Sequence, residues 1–255
     1  MLTLISAFRD NYVYLLEAGT GRWLVDPGDP GPVEHHLQAH SLSPTAILCT
    51  HHHADHVGGV EHLARRYGLP VYGSGTRIPA LTHPVQEGVL RIDGEEVEVL
   101  EIPGHTLDHV AYRWKDFLFC GDTLFSAGCG RIFEGTPDLL FNSLEKLRCL
   151  PGTTQVCCAH EYTWANLQFS RLVEPGNTWT AKRLAAVEQL RAAGKPSLPS
   201  TLEDEKHYNP FLRCSEPTVV ETVRRWNPGG GDSPREIFAT LRRWKDGFTP
   251  PGGTR

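Results

Sequence analysis

A dense group of metal-ligating side chains follows the apolar run at residues 46–49. Four histidines and one aspartate occupy five of the six positions in His51-His52-His53-Ala54-Asp55-His56. Imidazole nitrogens and carboxylate oxygens are ligands suited to Zn, Fe and Mn, and a strand that ends in a loop can direct them at one point. Two such metals can lower the pKa of a bound water and present it to a carbonyl or phosphoryl group. The cluster therefore predicts half of a two-metal hydrolytic site.

Four shorter motifs supply further residues of the same chemical types. Each follows a predicted strand, and they are Val25-Asp26-Pro27-Gly28, Pro103-Gly104-His105-Thr106, Cys120-Gly121-Asp122-Thr123 and Cys158-Ala159-His160-Glu161. Strand ends at the edge of a sheet bring distant parts of a chain together. We therefore expect His105, Asp122 and His160 to join the cluster. Asp26 is expected either to support the ligands or to form its turn.

Strands and helices alternate in the first 162 residues, and these elements must position the ligands. Apolar or alternating runs predict strands at residues 2–7, 12–16, 23–25, 46–49, 96–102, 110–114, 117–120 and 155–158. Helical spacing and Pro or Gly punctuation predict helices at residues 32–40, 57–67 and 139–150. The mixture indicates an α/β fold built in layers.

The pattern becomes helical after Tyr162, and we predict no strand in the remainder. Predicted helices cover residues 180–193, 215–226 and 233–248. Ser215 and Ser233 are the expected caps of the last two, because each precedes a proline that falls near the first turn. The predicted organisation is a mixed domain at residues 1–162 followed by a helical domain at residues 163–255.

The composition favours small-molecule chemistry in the cytoplasm. A net charge of -5 gives no general attraction for nucleic acid or an anionic membrane. No apolar run approaches the roughly 20 residues that a bilayer requires, and the first ten residues lack the basic lead of a signal peptide. Seven cysteines without framework spacing predict reduced thiols. We expect Cys49, Cys120 and Cys158 to pack in the core rather than attack a substrate.

The ligand pattern resembles that of the metallo-β-lactamase superfamily, in which Thr-His-x-His-x-Asp-His precedes separate His, Asp and His positions. The resemblance implies a four-layered αββα sandwich and two divalent metal ions, with Zn favoured over Fe or Mn. It assigns seven ligands: His51, His53 and His105 to the first ion, Asp55, His56 and His160 to the second, and Asp122 to both. His52 occupies the x position, where a supporting role is expected. His109 suits a supporting role and a buried structural role equally.

Nearly the whole chain also resembles the glyoxalase II family of hydroxyacylglutathione hydrolases. The shared motifs occur in order at residues 10–12, 121–125, 128–131, 133–136, 159–163, 198–202, 205–206, 209–213 and 242–246. The resemblance implies hydrolysis of S-D-lactoylglutathione to D-lactate and glutathione, in methylglyoxal detoxification. The expected nucleophile is a metal-bridging hydroxide. His53, Asp55 and Asp122 are the expected catalytic residues, because they hold the metals.

The same resemblance places the glutathione substrate against Arg131, Phe133, Tyr162, Arg242 and Lys245. Arg242 and Lys245 lie three residues apart on a predicted helix, so they share a face that could bind the carboxylate of a tripeptide. Without the resemblance, such a pair would be read as a solvated helix face. Phe133 keeps an aromatic wall where some members have Tyr, but it lacks the hydroxyl. Arg131 stands where some members have Lys, with a different donor geometry.

Two other classes of protein remain open from the sequence. A glutathione persulfide dioxygenase shares the fold but resembles a mononuclear iron enzyme without the helical domain. A non-catalytic metal-binding module would have closed metal coordination with no water position. A β-lactamase or a nuclease is less favoured, because the first is usually exported and the second requires a basic surface. We expect a monomer that binds a small thioester and has no nucleic acid or membrane partner.

Overall fold

The computed structural model describes residues 1–250, which form two compact units. The first unit contains residues 1–101 and 108–121, and the second contains residues 102–107 and the chain from Asp122 onward. Neither unit is a continuous stretch of chain. The predicted domain boundary between residues 162 and 163 stays a prediction, because compact units are not the same as domains. The last five residues of the predicted helical domain, 251–255, lie outside the described part of the chain.

The first unit contains ten strands and three helices. Its first sheet has the strand order β1 to β6: β1 Leu2–Ala7, β2 Asn11–Ala18, β3 Gly21–Val25, β4 Ala46–Leu48, β5 Val71–Gly73 and β6 His83–Pro84. Four antiparallel strands follow in the spatial order β10, β9, β8, β7: β7 Gly88–Ile92, β8 Glu95–Glu101, β9 Val110–Trp114 and β10 Phe117–Gly121. The helices are α1 Pro30–Ala39, α2 Ala54–Val57 and α3 Val60–Tyr67.

The first sheet changes from antiparallel to parallel pairing at β3. Strands β1, β2 and β3 pair antiparallel, whereas β3 to β6 pair parallel. Parallel neighbours need a crossover connection, and α1 provides it between β3 and β4 while α2 and α3 provide it between β4 and β5. The helices and the sheet bury a common apolar cluster that includes Leu24, Ile47, Val60, Leu63 and Val71. Strand order and core together fix the edge from which the ligand loops leave.

The second unit is mostly helical. Its strands form two short antiparallel pairs, β11 Leu124–Phe125 with β12 Gly128–Cys129 and β13 Gln155–Cys158 with β14 Ser200–Thr201. Its helices are α4 Pro137–Arg148, α5 Thr163–Val173, α6 Thr178–Ala192, α7 Leu202–Tyr208, α8 Pro217–Trp226 and α9 Pro234–Asp246, with a 3₁₀ turn at Pro210–Leu212. Leu167, Leu184 and Val187 are buried where α5 packs on α6. The α/β mixture followed by helices agrees with the sequence prediction.

All eight strands predicted from the sequence are present, but three details were wrong, two of which concern helices. The helix predicted at residues 57–67 is interrupted at Gly58 and Gly59, so that α2 ends at Val57 and α3 begins at Val60. Both glycines lie so close to neighbouring carbonyl oxygens that a Cβ would meet them at 2.6 Å. Ser215 does not cap α8; Glu216 stands at the cap position and makes no side-chain cap bond. Ser233 does cap α9, in a capping box with Glu236.

The third error concerns strands after residue 162, where none was predicted and β14 pairs with β13.

The cysteine prediction is confirmed: all seven are free thiols, and Cys149 is the one that is exposed. None of the helices in residues 1–250 has both the length and the apolar character needed to cross a bilayer.

A buried carboxylate in the second unit holds the loop that joins β11 to β12. Glu205 is 0% exposed and accepts hydrogen bonds from Ala127 N at 2.7 Å, Tyr208 Oη at 2.9 Å and Asn209 Nδ2 at 3.1 Å. Asn209 Nδ2 also donates to the carbonyls of Phe125 and Gly128. Burial raises the pKa of Glu205. The donors around it would lose their acceptor if the carboxyl group were removed.

We predict that Glu205→Ala lowers the free energy of unfolding by about 3 kcal/mol, because buried donors are left without an acceptor. Urea denaturation measures the change. Glu203→Ala on the same helix is the matched control, since Glu203 is exposed, and it should change stability by less than about 0.5 kcal/mol. Equal stability of the two variants would contradict the assignment.

Candidate active site

The ends of β3 and β4 deliver the first group of polar residues. Val25 pairs with Leu48 in the parallel register, so Asp26 and the Thr50-His51 pair leave the sheet at the same edge. Asp26 has φ 51°, in the left-handed region that is unusual for a residue with a side chain. The turn directs its carboxylate back onto the loop after β4, where its oxygens meet three donors. Asp26 therefore does more than form a turn.

Asp26 fixes the imidazole tautomers of two predicted ligands. Its carboxylate accepts hydrogen bonds from Thr50 N at 2.7 Å, Thr50 Oγ1 at 2.6 Å and His56 Nδ1 at 3.0 Å. Because Thr50 Oγ1 gives its proton to Asp26, the same oxygen is an acceptor for His51 Nδ1 at 3.1 Å. Both rings then carry hydrogen on Nδ1. This leaves the Nε2 lone pairs of His51 and His56 for a metal ion.

The ligand atoms of the first unit are spaced as a metal requires. Nε2 of His51 lies 3.1 Å from Nδ1 of His53, and Nε2 of His56 lies 3.6 Å from Oδ2 of Asp55. Two ligands of one tetrahedral zinc ion, each about 2.1 Å from the metal, are separated by about 3.4 Å. Asn11 Nδ2 donates to the same Asp55 oxygen at 3.0 Å and orients the carboxylate. The donor set therefore fits divalent metal.

The second unit provides a carboxylate with a different histidine at each oxygen. Asp122 Oδ2 lies 3.5 Å from His105 Nε2, and Asp122 Oδ1 lies 3.3 Å from His160 Nε2. His105 Nδ1 donates to the carbonyl of Arg131 at 2.8 Å, which again leaves Nε2 as the lone-pair nitrogen. All three side chains are buried. This is the arrangement that a carboxylate bridging two metal ions would need.

Other side chains near the cluster have different surroundings. His52 Nδ1 lies 3.1 Å from Asp108 Oδ1, and the His109 ring stacks on His51 with 4.6 Å between ring centroids. Cys49 is buried, and burial raises the pKa of its thiol well above the ordinary value. A thiol held in the protonated form is a poor nucleophile, which agrees with the packing role expected for this cysteine.

The predicted substrate cations lie in the second unit around Asp246. Arg242 is only 4% exposed, and its Nη1 donates to the carbonyls of Cys129 at 2.7 Å and Gly130 at 3.2 Å. Its Nη2 donates to Asp246 Oδ1 at 3.0 Å, and Arg131 Nε lies 4.0 Å from the same oxygen. The substrate contact predicted for Arg242 stays a prediction. In the structure it contacts the backbone that precedes Arg131 and the carboxylate of Asp246.

Lys245 is half-buried and lies against two aromatic rings. Its Nζ is 5.5 Å from the ring centroid of Phe169 and 5.0 Å from that of Phe248. Loss of solvent is the main reason that the pKa of Lys245 falls to about 8, and the positive charge of Arg242 lowers it further. The ammonium is therefore a charge that pH can remove near the neutral range.

The two predicted aromatic contacts each pack on a predicted metal ligand. The Phe133 ring is 64% exposed and meets His105 edge to face, with 5.2 Å between centroids. The Tyr162 ring stacks on His160 at 4.7 Å and is 37% exposed. In each case part of the ring packs on a histidine and part of the ring is exposed to solvent. Each could therefore contact a ligand of the metal centre.

Sequence reasoning did not single out Asn11 or Asp246. Asn11 lies in the Asp10-Asn11-Tyr12 motif, but nothing in its position along the chain connects it with Asp55. Asp246 ends the 242–246 motif, and its role depends on the fold that brings Arg131 to α9. In both cases a motif contained the residue, and only the three-dimensional contacts indicate what it does.

Comparison with known proteins agrees with these features. Residues 7–160 match the family model described as metallo-beta-lactamase superfamily, and residues 161–248 match the model described as hydroxyacylglutathione hydrolase C-terminus. A protein named hydroxyacylglutathione hydrolase from Nitrosomonas europaea is 47% identical over 84% of this chain and 83% of its own length. Another of that name from Hahella chejuensis is 50% identical over 84% of this chain and 86% of its own length.

A solved structure of TTHA1623 in a di-iron-bound form is 34% identical, with a TM-score of 0.55. The match covers 63% of this chain and 91% of that one. The fold and the ligand set define a metallo-β-lactamase fold followed by a helical C-terminal domain, as the sequence predicted. Within that superfamily, the chain belongs to the hydroxyacylglutathione hydrolase family, and it is therefore an enzyme.

We predict that Asp26→Asn weakens metal binding without abolishing it. An amide accepts through its oxygen only, so its NH2 group would face a donor, either the Thr50 backbone N–H at one side or Thr50 Oγ1 and His56 Nδ1 at the other. Loss of such a supporting residue costs about 10- to 100-fold in metal affinity. Competition with a chelator of known affinity measures the change, and the exposed Asp116→Asn is the control. Wild-type affinity in Asp26→Asn would contradict the supporting role.

Proposed function

We propose that this chain hydrolyses 2-hydroxyacylglutathione thioesters, with S-D-lactoylglutathione giving D-lactate and glutathione in methylglyoxal detoxification. The observation that carries the proposal is Asp122, whose two oxygens face His105 and His160 separately. A carboxylate of this kind suits a two-metal hydrolytic centre. The name shared by the curated relatives supports the choice of thioester.

We propose that seven side chains hold two divalent ions: His51, His53, Asp55, His56, His105, Asp122 and His160. When bound, the two ions would lower the pKa of a water and stabilise negative charge on the carbonyl oxygen. Zinc is our choice from the nitrogen-rich ligand set, although iron or manganese suit the same atoms. The di-iron form of TTHA1623 supports a two-ion centre rather than a single ion.

The protein side chains then supply position rather than acid catalysis. A thiol with a pKa of about 8.5 leaves readily as an anion, so the departing glutathione needs no dedicated proton donor. Arg131 and Lys245 would attract the carboxylates of glutathione, while Phe133 and Tyr162 would line the substrate. Arg242 would contribute through the backbone of Cys129 and Gly130, whose carbonyls it holds.

The persulfide dioxygenase alternative is less well supported. It was expected to lack the helical domain, and residues 161–248 match a hydroxyacylglutathione hydrolase model. We propose a cytoplasmic location, which the seven free thiols support. The monomeric state and the absence of nucleic acid or membrane partners remain predictions from the sequence.

We predict that His53→Ala and Asp122→Asn each lose hydrolysis of S-D-lactoylglutathione together with bound metal. Because both residues are proposed ligands, the loss should exceed the roughly 100-fold expected for a supporting residue. Thioester absorbance measures turnover, and elemental analysis counts metal in the same samples. Asp116→Asn should keep both. A variant that keeps wild-type turnover would contradict the metal mechanism, and a wild-type enzyme with two ions and no turnover would contradict the proposed reaction.

We also predict a loss of kcat/KM as pH rises through about 8, the pKa of Lys245. Lys245 is charged below that pH and neutral above it, so attraction for a substrate carboxylate is present on the acid side and lost on the alkaline side. Lys245→Ala should raise KM about tenfold at pH 7 with little change in kcat. Lys245→Arg should keep its charge and move this decline to higher pH.

A matched substrate separates this effect from titration elsewhere. The ethyl ester of the glycine carboxylate removes the charge that Lys245 is proposed to bind. Its kcat/KM should be lower at pH 7 and should not show the decline assigned to Lys245. An identical alkaline limb in wild type, Lys245→Arg and the ester substrate would reject this binding role.

A further inference from the structure

Phe8 occupies an unusual backbone conformation at the start of a hairpin loop. It begins the three-residue loop between β1 and β2, where Ala7 pairs with Asn11. Its φ is 49°, in the left-handed region that glycine adopts readily and in which a bulky residue is an outlier. Its side chain is 58% exposed, so burial of the ring does not offset the cost. Backbone strain of this kind concentrates at functional sites.

The position of the Phe8 ring connects it with a predicted metal ligand. A Cβ on Gly28 would clash with the carbonyl oxygen of Asp55 and would lie 3.0 Å from Cε2 of Phe8. The ring edge and the Asp55 backbone therefore approach the same glycine, and only a residue without a side chain fits there. Asn11, at the other end of the same loop, donates to the Asp55 carboxylate at 3.0 Å. The loop thus orients the Asp55 carboxylate through Asn11 and places the edge of the Phe8 ring near the Asp55 backbone.

We propose that Phe8 is a specificity-determining residue that contacts the acyl group of the thioester. This inference rests on the proposed function, because hydrolysis at a centre containing Asp55 must bring the acyl carbon near that residue. The substituents on the acyl carbon then meet whatever surface adjoins Asp55. The exposed Phe8 ring offers an apolar surface, suited to a small alkyl group and restrictive toward a larger one.

The contact differs from those that bind glutathione. Glutathione is common to every substrate of this type, so its binding residues affect all acyl groups alike. A residue at the acyl group changes the ratio between substrates. The test is therefore a comparison of two thioesters that differ only in that group, S-D-lactoylglutathione with a methyl and S-D-mandeloylglutathione with a phenyl.

We expect Phe8→Gly to shift the ratio of kcat/KM about tenfold toward the mandeloyl thioester, because the ring no longer restricts the acyl side. Phe8→Tyr keeps the ring and should keep the wild-type ratio within about twofold. Trp179→Ala removes an aromatic ring of similar exposure on α6 and serves as the control for loss of an exposed ring. The inhibition constant of glutathione, which has no acyl group, should be the same in all variants.

Metal content and thermal unfolding are measured on the same samples. Phe8→Gly should retain its metal and melt no lower than wild type, because glycine tolerates the left-handed φ. An unchanged substrate ratio, or equal losses for both thioesters, would overturn the proposal for Phe8. Failure of the wild-type enzyme to hydrolyse either thioester would instead overturn the proposed function, and the acyl contact with it.

Discussion

The carboxylate of Asp26 is the interaction on which the first group of ligands depends. It collects Thr50 and His56 on one side chain and, through Thr50 Oγ1, fixes the His51 ring as well. A histidine can ligate through either nitrogen, and only a hydrogen bond at one of them decides which remains for metal. The parallel register of β3 and β4 makes this possible, because it places Asp26 beside Thr50. The sheet therefore determines ligand chemistry as well as ligand position.

In the second unit, a backbone carbonyl rather than a carboxylate determines which imidazole nitrogen of a predicted ligand remains for metal. The carbonyl of Arg131 receives the hydrogen of His105 Nδ1, and two residues before it the carbonyl of Cys129 receives Arg242. The loop that precedes this segment is held from the other side by Glu205 and Asn209. A buried carboxylate in such a place costs desolvation free energy. Its several hydrogen bonds fix the loop between β11 and β12, which leads into the segment whose Arg131 carbonyl accepts from His105.

The sequence was most informative where residue type and periodicity carry the structure. The ligand cluster needs its donor atoms and an adjoining strand, and both are visible in residues 46–56. Five of the six strands missed by the sequence, including β5 and β14, are two or three residues long and carry too little pattern to detect, whereas the sixth, β7, has five residues of which only Ile92 is buried. The split of the 57–67 helix depends on how close Gly58 lies to the carbonyl of Gly28, a contact between distant residues. No local pattern encodes a distance of that kind.

The helical spacing of Arg242 and Lys245 likewise did not indicate which groups each of the two cations contacts. Arg242 and Lys245 both lie on α9, as predicted, but the guanidinium of Arg242 is buried against Cys129 and Gly130. Asp246 then receives a further bond from Arg242 and reduces the positive charge next to Arg131. Position on a helix face follows from residue number, whereas burial follows from what packs on that face. The sequence therefore supports the pairing of these residues better than it supports their individual roles.

The lowered pKa of Lys245 would suit the binding role proposed for this residue. Substrate and product share the glutathione moiety, so attraction for its carboxylate stabilises the bound substrate, the transition state and the bound product alike. Interactions of this uniform kind lower KM without raising kcat, and very strong ones slow the release of glutathione. A half-buried ammonium with a pKa of about 8 gives a charge strong enough for capture near neutral pH. If these cations bind glutathione as proposed, the partial cancellation by Asp246 would act in the same direction, because it would limit how tightly the product is held.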